Sequence, residues 1–142
     1  LTAAGVVVDK LDVSNAVDTD SSLAIPILTA YIAAHPDLKA IGTQHGNITA
    51  ILPKVLQAAG KKPGDIICGG IDLSPATVDA IKNGWISASF DQVLYLQGFT
   101  PVQQIVLTKK YLIPGLHIDT GVGTVTPQNV AQIAPLIEKG IR

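Results

Sequence analysis

The sequence has few of the residues that usually mark catalysis, redox chemistry or nucleic-acid binding. It holds one cysteine, so no disulfide can form within the chain, and Cys68 lies in an apolar run, which favours a small core residue over a nucleophile. Charged residues make up 15% of the chain and the net charge is −1, which argues against nucleic acid as a partner. No apolar run reaches the roughly 18 residues that a membrane-spanning helix needs.

Arginine is almost absent as well, because its single occurrence is Arg142, the last residue. Carboxylate and phosphate ligands are commonly held by the paired N–H groups of arginine. The sequence therefore favours a neutral ligand, or a partner that supplies the cation. The histidines His35, His45 and His117 fall on unrelated predicted elements, which argues against a metal site. A glycine pair at 121 and 123 lacks the third glycine of a dinucleotide loop, so we expect no cofactor.

The stretch 65–92 predicts a strand, a helix and a second strand. Residues 65–71 form an apolar run typical of a strand buried on both faces. Ser74 followed by Pro75 is a typical helix start, with a capping hydroxyl and then proline at the first helical position. Residues 85–90 predict the second strand. A strand, helix, strand unit almost always crosses over right-handed, so the two strands should be parallel.

The remainder of the chain continues this alternation. It predicts strands at 5–13 and 39–43, helices at 23–34, 47–59, 93–111 and 128–139, a short extended piece at 113–119, and a loop or strand at 121–126. Pro53 lies inside one of these helices, where we expect a kink. With 47% hydrophobic residues, the 142-residue chain predicts a single α/β lobe with a doubly wound parallel sheet and helices on both faces.

Polar side chains follow three successive predicted strands. They are Gln44 and His45, then Asp72, then Asp91 and Gln92. Because the carboxyl ends of parallel strands meet at one edge of a sheet, where ligands of open α/β sheets bind, we expect these side chains to line a ligand site. Carboxylate, amide and imidazole groups together supply the donors and acceptors that sugar hydroxyls require.

Other interpretations of these residues stay open at the level of sequence. Asp72 could instead order the turn before Ser74, as aspartate often does. His45 could cap the helix that follows it. Asp72 and Asp91 could form a general acid and base pair, although nothing in the sequence sets their separation.

Five segments together resemble the C-terminal lobe of the type I periplasmic solute-binding proteins of ABC sugar transporters, of the ribose- and galactose-binding class. They read HPDLKAIGTQHG, VLQAAGKK, GGIDLSPATVDAIKNG, ISASFDQ and YLQGF, and the resemblance runs from about Val6 to Asn129. In that family two similar α/β lobes close on a small ligand at a hinge. The resemblance implies that this chain is one half of such a protein and that the N-terminal lobe lies outside it.

The resemblance also carries over to single positions. Asp72 matches the aspartate that bonds sugar hydroxyls, and Gln92 matches the glutamine at the hinge that contacts the ligand. His45 stands where ribose-like binders usually carry asparagine, with Gly46 where aspartate commonly follows. The loop 13–22 lacks the aromatic residue that such proteins often place there for stacking. These departures leave the identity of the ligand open.

Segment 93–116 matches the part of the family's chain that crosses the hinge, lies on the other lobe and returns. Its many apolar residues need a cover, which would be the missing N-terminal lobe or a second copy of this chain. The alternative is that it folds back on its own lobe as an ordinary covering helix.

The function we expect is that of a non-enzymatic solute-binding component of an ABC-type importer. It would bind a sugar or a similar neutral polyol and deliver it to a membrane permease from the periplasm or the cell exterior. Because the chain does not begin with methionine, we expect Leu1 to be a processed or truncated start, and a signal peptide or membrane anchor upstream stays open. The alternatives are the effector-binding core of a sugar-responsive transcription regulator, and a small hydrolase or lyase that uses Asp72 and Asp91.

Overall fold

Helices and strands alternate along the chain, as the sequence predicts. The computed structural model describes residues 1–121 and 123–142. Its elements are, in order, α1 (Ala24–Ala34), β1 (Ala40–Gly42), α2 (Gly46–Ala58), β2 (Ile67–Ile71), α3 (Pro75–Lys82), β3 (Ala88–Asp91), α4 (Leu94–Tyr111), β4 (Gly123–Val125) and α5 (Val130–Glu138).

The four strands form one sheet in the order β1-β2-β3-β4. β1 pairs parallel with β2, and β2 pairs parallel with β3, whereas β4 runs antiparallel to β3 at the edge. The predicted α/β class is therefore confirmed, and the predicted parallel sheet is parallel except for β4. Because the first three strands follow one another in space as they do in sequence, successive right-handed crossovers carry α2 and α3 over the same face.

That face holds the hydrophobic core. Side chains alternate between the two sides of a strand, and Cys68, Ser89 and Val125 point to the covered side and are fully buried. The helices contribute Leu52 of α2 and Ile81 of α3, which are fully buried as well. This packing holds the carboxyl ends of β1, β2 and β3 side by side.

The opposite face of the sheet is open. Ile67 of β2 and Phe90 of β3 point to it and are 62% and 56% exposed. The sequence predicts helices on both faces of the sheet, but the described residues place helices on one face only.

The prediction of a strand at 5–13 is wrong. The chain forms a short 3-10 turn at Thr2–Ala4 and then runs without strand pairing, so that Val7 is 94% exposed. A strand exists only where another strand satisfies its backbone groups, and β1 forms the edge of the described sheet on this side. The segment is instead tied down by a side chain, because the Tyr31 hydroxyl donates to Asp9 Oδ2 at 2.5 Å.

One predicted helix start is confirmed, and another lies later in the chain than predicted. At α3 the Ser74 hydroxyl accepts a hydrogen bond from the Thr77 N–H at 3.1 Å, and Pro75 is the first helical residue, as predicted. The last helix begins at Val130, two residues later than predicted. The cause is Asn129, whose side chain accepts from the Thr126 N–H at 2.9 Å and thereby holds a turn ahead of the helix.

Pro53 lies inside α2, and the kink there stays a prediction. The predicted extended piece at 113–119 forms no strand. The segment 121–126 contains β4, with Val122 outside the described residues.

The predicted helix at 93–111 is confirmed as α4, but none of its residues is buried. The chain after it lies along the helix: the Leu116 N–H donates to Gln104 Oε1 at 2.6 Å, and the Thr108 hydroxyl donates to the Ile113 carbonyl at 2.7 Å. We call α4 and this returning chain, residues 94–119, the arm. Within the described part of the chain, no helix combines the length and apolar character that crossing a bilayer would take.

Candidate functional site

Asp72 and Gln92 meet at the carboxyl edge of the sheet. Asp72 directly follows β2 and Gln92 directly follows β3, and these strands are parallel neighbours. The Gln92 Nε2 donates a hydrogen bond to Asp72 Oδ1 at 2.6 Å. Both residues are half-buried, so their polar groups stay within reach of a small molecule at this edge. The two residues that the family resemblance singles out are therefore brought together.

The start of α2 lies against Asp72. A β-carbon placed on Gly46 would lie 2.8 Å from Asp72 Cβ and 2.9 Å from its Oδ2. Real side chains do not approach so closely, so only glycine allows this contact without displacing the carboxylate. Sequence reasoning treated Gly46 as a departure from the family pattern, whereas the structure shows that it makes room for Asp72.

The backbone of Asp72 adopts an uncommon conformation. Its φ is 67°, in the left-handed region that aspartate tolerates better than most residues. Two hydrogen bonds to β3 hold it there: the Asp72 N–H donates to the Phe90 carbonyl at 2.8 Å, and the Ser89 hydroxyl donates to the Asp72 carbonyl at 2.7 Å. Such conformations persist where the surroundings fix them, and they are common at ligand sites. The direction of the carboxylate is thus set by β3 as well as by β2.

A pair of threonines fastens the turn after β1 to the end of β2. Thr49 is fully buried, and its Oγ1 lies 2.7 Å from Thr43 Oγ1, 3.0 Å from the His45 carbonyl and 3.1 Å from the Ile71 carbonyl. A β-carbon on Gly70 would lie 2.3 Å from Thr49 Oγ1, so the hydroxyls occupy the space that glycine leaves. Sequence reasoning missed these residues, and only the glycine pair within β2 indicated a close approach.

Gln44 and His45 lie at the rim of the same edge, where both are exposed. His45 occupies the position before α2, but its side chain makes no capping hydrogen bond. Its Nδ1 lies 3.7 Å from Asp18 Oδ1, and both side chains are more than half exposed. The alternative in which His45 caps the helix through its side chain is therefore not what the structure shows.

Asp91 differs from the other predicted site residues because its side chain is only 4% exposed and its carboxylate is engaged within the protein. Its Oδ1 accepts from the Val93 N–H at 2.8 Å, and its Oδ2 accepts from Arg142 Nε at 2.6 Å. The hydrogen bond of Asp72 goes to Gln92, so the described contacts do not join Asp72 and Asp91 as an acid and base pair. The chain's single arginine serves this internal carboxylate.

The only thiol lies deep in the sheet. Burial raises the pKa of Cys68 to about 11, so the thiol is protonated at neutral pH, as a core residue should be. Among residues 1–121 and 123–142, no three or more His, Cys, Asp or Glu side chains come together in a way that could hold a metal ion.

Comparisons with known proteins agree with this architecture. The family described as "Periplasmic binding protein domain" matches residues 3–109. The xylose/arabinose-binding protein XylF of Sulfolobus acidocaldarius is 36% identical over 109 residues, which are 72% of this chain and 27% of that protein. The chain therefore spans about a quarter of the length of this relative.

Solved structures show the same fold at low sequence identity. A carbohydrate transporter from Acidothermus cellulolyticus, in complex with myo-inositol, matches with a TM-score of 0.76 at 22% identity, over 87% of this chain and 43% of that one. A protein described as a LacI transcriptional regulator, from Bacteroides fragilis, matches with a TM-score of 0.67 at 23% identity, over 76% of this chain and 37% of that one. Because the family match covers most of the residues, the chain belongs to the periplasmic binding protein domain family.

Proposed function

We propose that this chain is the C-terminal lobe of the solute-binding component of an ABC-type importer, and that it binds a sugar or a similar neutral polyol. The observation that carries the proposal is the meeting of Asp72 and Gln92 at the carboxyl ends of two parallel strands, 2.6 Å apart. His45 and Gln44 extend the polar rim at the end of β1. A ligand would bind between this edge and a second lobe.

The chemistry of this edge suits hydroxyl groups. A carboxylate accepts hydrogen bonds from two hydroxyls, and each of these bonds is strengthened by the charge. The glutamine amide both donates and accepts, which matches the dual character of a hydroxyl. Arg142 is engaged by Asp91, so it is not at hand for an anionic ligand. XylF is named for xylose and arabinose, and the Acidothermus transporter was solved with myo-inositol. All three compounds are neutral and polyhydroxylated.

The arm supports the proposal of a second lobe, with 93–116 as the hinge-crossing segment. Its large apolar side chains are exposed: Leu94, Tyr95, Leu96, Phe99, Val102, Ile105, Val106, Leu107, Tyr111, Leu112, Ile113, Leu116 and Ile118. Exposed apolar surface costs about 25 cal/mol per Å² relative to burial, and contiguous patches of it usually mark an interface. We propose that an N-terminal lobe covers the arm, with a second copy of this chain as the alternative occupant.

The proposed role is transport without catalysis. A solute-binding component of this kind works in the periplasm or outside the cell and hands its ligand to a membrane permease. The engagement of Asp91 by Val93 and Arg142 weighs against a hydrolase or lyase that uses Asp72 with Asp91.

A second candidate is the effector-binding core of a sugar-responsive transcription regulator. The similarity to the LacI-type structure from Bacteroides fragilis favours it, because the two chains share the fold over 76% of this one. The two candidates differ outside the ligand lobe. A helix-turn-helix segment in the same gene product would indicate a regulator, and a signal peptide with a second α/β lobe would indicate a transport receptor.

The ligand class can be tested with a thermal-shift panel on the complete protein. Pentoses, hexoses, cyclic polyols and their phosphorylated or carboxylated analogues are added at equal millimolar concentration. We expect neutral compounds to raise the melting temperature, because a ligand that binds only the folded state stabilises it. The proposal is wrong if only the charged analogues raise it. Trimethylamine N-oxide, an osmolyte that is not a sugar, serves as a control for general solute effects, which act on any protein.

A further inference from the structure

We infer that the ion pair between Asp91 and Arg142 is a positioning device that holds Gln92 over Asp72 and sets where the arm leaves the lobe. Neither residue of the pair need touch the ligand. The inference rests on the proposed function for its effect on sugar binding, but its structural part stands on the contacts of Asp91 alone.

Asp91 connects three parts of the chain through one carboxylate. It belongs to β3, where it pairs with Gly123 of β4. Its Oδ1 accepts from the Val93 N–H, at the point where the chain leaves for α4, and its Oδ2 accepts from Arg142 Nε at 2.6 Å. One buried carboxylate therefore links the end of β3, the residue that precedes α4, and Arg142.

The carboxylate of a side chain that is 4% exposed depends strongly on its partners. Removing one partner of a buried charge pair leaves an uncompensated charge in a poorly solvated place, which disturbs the surrounding structure more than the loss of an exposed pair does. Arg142 is itself 26% exposed at the side chain, so it can lose its partner at smaller cost. The sensitive member of the pair is therefore Asp91, and with it the backbone that Asp91 holds.

The backbone conformation of Val93 shows that this part of the chain must be fixed by its surroundings. Its φ is 49°, and a β-branched residue in the left-handed region is strained. Such a conformation persists only where the surroundings over-determine it. The Val93 carbonyl accepts from the Leu96 N–H at 2.8 Å within the first turn of α4, and the Val93 N–H donates to Asp91 Oδ1. The bond to Asp91 is the one that ties Val93 to β3. If Arg142 did not fix the other oxygen, the Asp91 carboxylate could rotate away and release Val93.

Gln92 lies between these two fixed residues. Asp91 is held in the β3–β4 ladder, Val93 is held by Asp91, and the Gln92 carbonyl accepts from Gln97 Nε2 at 3.1 Å. Asp91 is buried at the end of β3, whereas the Gln92 side chain, one residue beyond the strand, reaches Asp72 Oδ1. The position of the Gln92 amide thus follows from the geometry of Asp91.

Gly123 provides the space in which the arginine reaches Asp91. A β-carbon there would lie 3.2 Å from Arg142 Nη2 and 3.4 Å from Asp91 Cβ. This is tighter than ordinary contact, so a side chain at 123 would press on the ion pair. The antiparallel strand β4 thus presents its smallest residue where the pair forms.

A double-mutant cycle tests whether Arg142 acts through Gln92. The dissociation constant for the best neutral sugar is measured by calorimetry for the complete protein and its Arg142→Gln, Gln92→Ala and doubly substituted variants. We expect Arg142→Gln to weaken binding by about 10-fold when Gln92 is present and by less than about 2-fold when it is replaced, because coupled residues are not additive. Equal losses in both backgrounds, or no loss, would overturn the inference. Lys10→Gln is the matched control, since it removes one positive charge from an exposed pair with Asp12.

A second measurement needs no ligand. Hydrogen exchange at the Val93 amide is followed in the complete protein without ligand, with the Thr49 amide as an internal reference for global unfolding. We expect Arg142→Gln to speed exchange at Val93 by about 10-fold or more while Thr49 and the Lys10→Gln control are unchanged. Arg142→Lys, which keeps the charge but loses the guanidinium geometry, should give an intermediate rate.

These two measurements separate the possible failures. If no neutral sugar binds the complete protein, the proposed function is wrong. The exchange rates at Val93 still decide whether the Asp91–Arg142 pair holds the backbone where the arm leaves the lobe. If exchange at Val93 is the same in Arg142→Gln and in the unsubstituted chain, the positioning role is wrong whatever the sugar results show.

Discussion

The Gln92 side chain donates to Asp72 Oδ1 at 2.6 Å and so joins the ends of β2 and β3 across the sheet. The second oxygen, Oδ2, lies against Gly46 at the start of α2. The carboxylate is therefore approached from the ends of all three parallel strands. A small structural change at the end of any of these strands should therefore displace the Asp72 carboxylate and alter ligand binding.

Gly46→Ala should weaken ligand binding more than it weakens the fold. The added methyl would lie 2.8 Å from Asp72 Cβ, so the carboxylate must move, and a displacement of this size should cost about 1–3 kcal/mol of binding. Gly42→Ala is the matched control, because a β-carbon there meets no atom within 4 Å. Calorimetric titration of both variants with the same sugar makes the comparison. Equal affinities for the two variants would show that the contact with Asp72 does not matter.

Gly70→Ala should destabilise the lobe itself. Its methyl would lie 2.3 Å from Thr49 Oγ1 and 2.4 Å from Thr43 Oγ1, within a buried pair of hydroxyls that cannot move aside freely. We expect a loss of about 3 kcal/mol in the free energy of unfolding, measured by urea titration.

The neighbouring Gly69→Ala is its control. A methyl there would make a 3.4 Å contact with the Ala88 carbonyl, on the open face of the sheet, so its cost should stay below about 1 kcal/mol. If Gly69→Ala is the more damaging of the two, the threonine pair is not the constraint on this part of β2.

Cys68 should be nearly unreactive in the folded chain. Burial raises its pKa to about 11, so at pH 8 only about one thiol in a thousand is ionised, and the sulfur is shielded as well. Ellman's reagent should label it slowly at pH 8 and rapidly once urea unfolds the chain. Fast labelling under native conditions would mean that the core face of the sheet opens readily.

The arm should promote association of the isolated chain without stabilising its lobe. Val102 and Ile105 are 59% and 60% exposed, so replacing both by glutamine removes no buried contact. We expect the free energy of unfolding to stay unchanged. The molar mass measured by light scattering should fall from that of an associated species to that of a monomer. The companion-lobe proposal would be contradicted if the unsubstituted chain stays monomeric at high concentration with Phe99 and Ile105 protected by its own sheet.

The unit from β2 to β3 could be predicted because its signals are local. An apolar run defines β2, and Ser74 with Pro75 starts α3 through a hydrogen bond that spans three residues. The positions of Asp72 and Gln92 follow from the parallel pairing that such a unit imposes. The sequence was therefore sufficient to place the two ligand candidates at one edge.

The features that escaped prediction depend on distant parts of the chain. The valine-rich segment 5–13 resembles a strand, but a strand needs a pairing partner, and none lies beside it in the described sheet. Asp91 resembles a ligand residue because it ends a strand, but its partner Arg142 is 51 residues away in sequence. Thr43 and Thr49 meet above Gly70 only once β1, α2 and β2 are packed.

Calorimetric titration of the complete protein and its Asp72→Ala variant tests the central claim most directly. We expect a neutral sugar or polyol to bind the unsubstituted protein, and Asp72→Ala to lose about 2–4 kcal/mol of binding, because the sugar hydroxyls are left without their charged acceptor. Asp79→Ala is the control, since this aspartate is exposed on α3 and should bind normally. Unchanged affinity in Asp72→Ala would contradict the assignment of the site to this edge of the sheet.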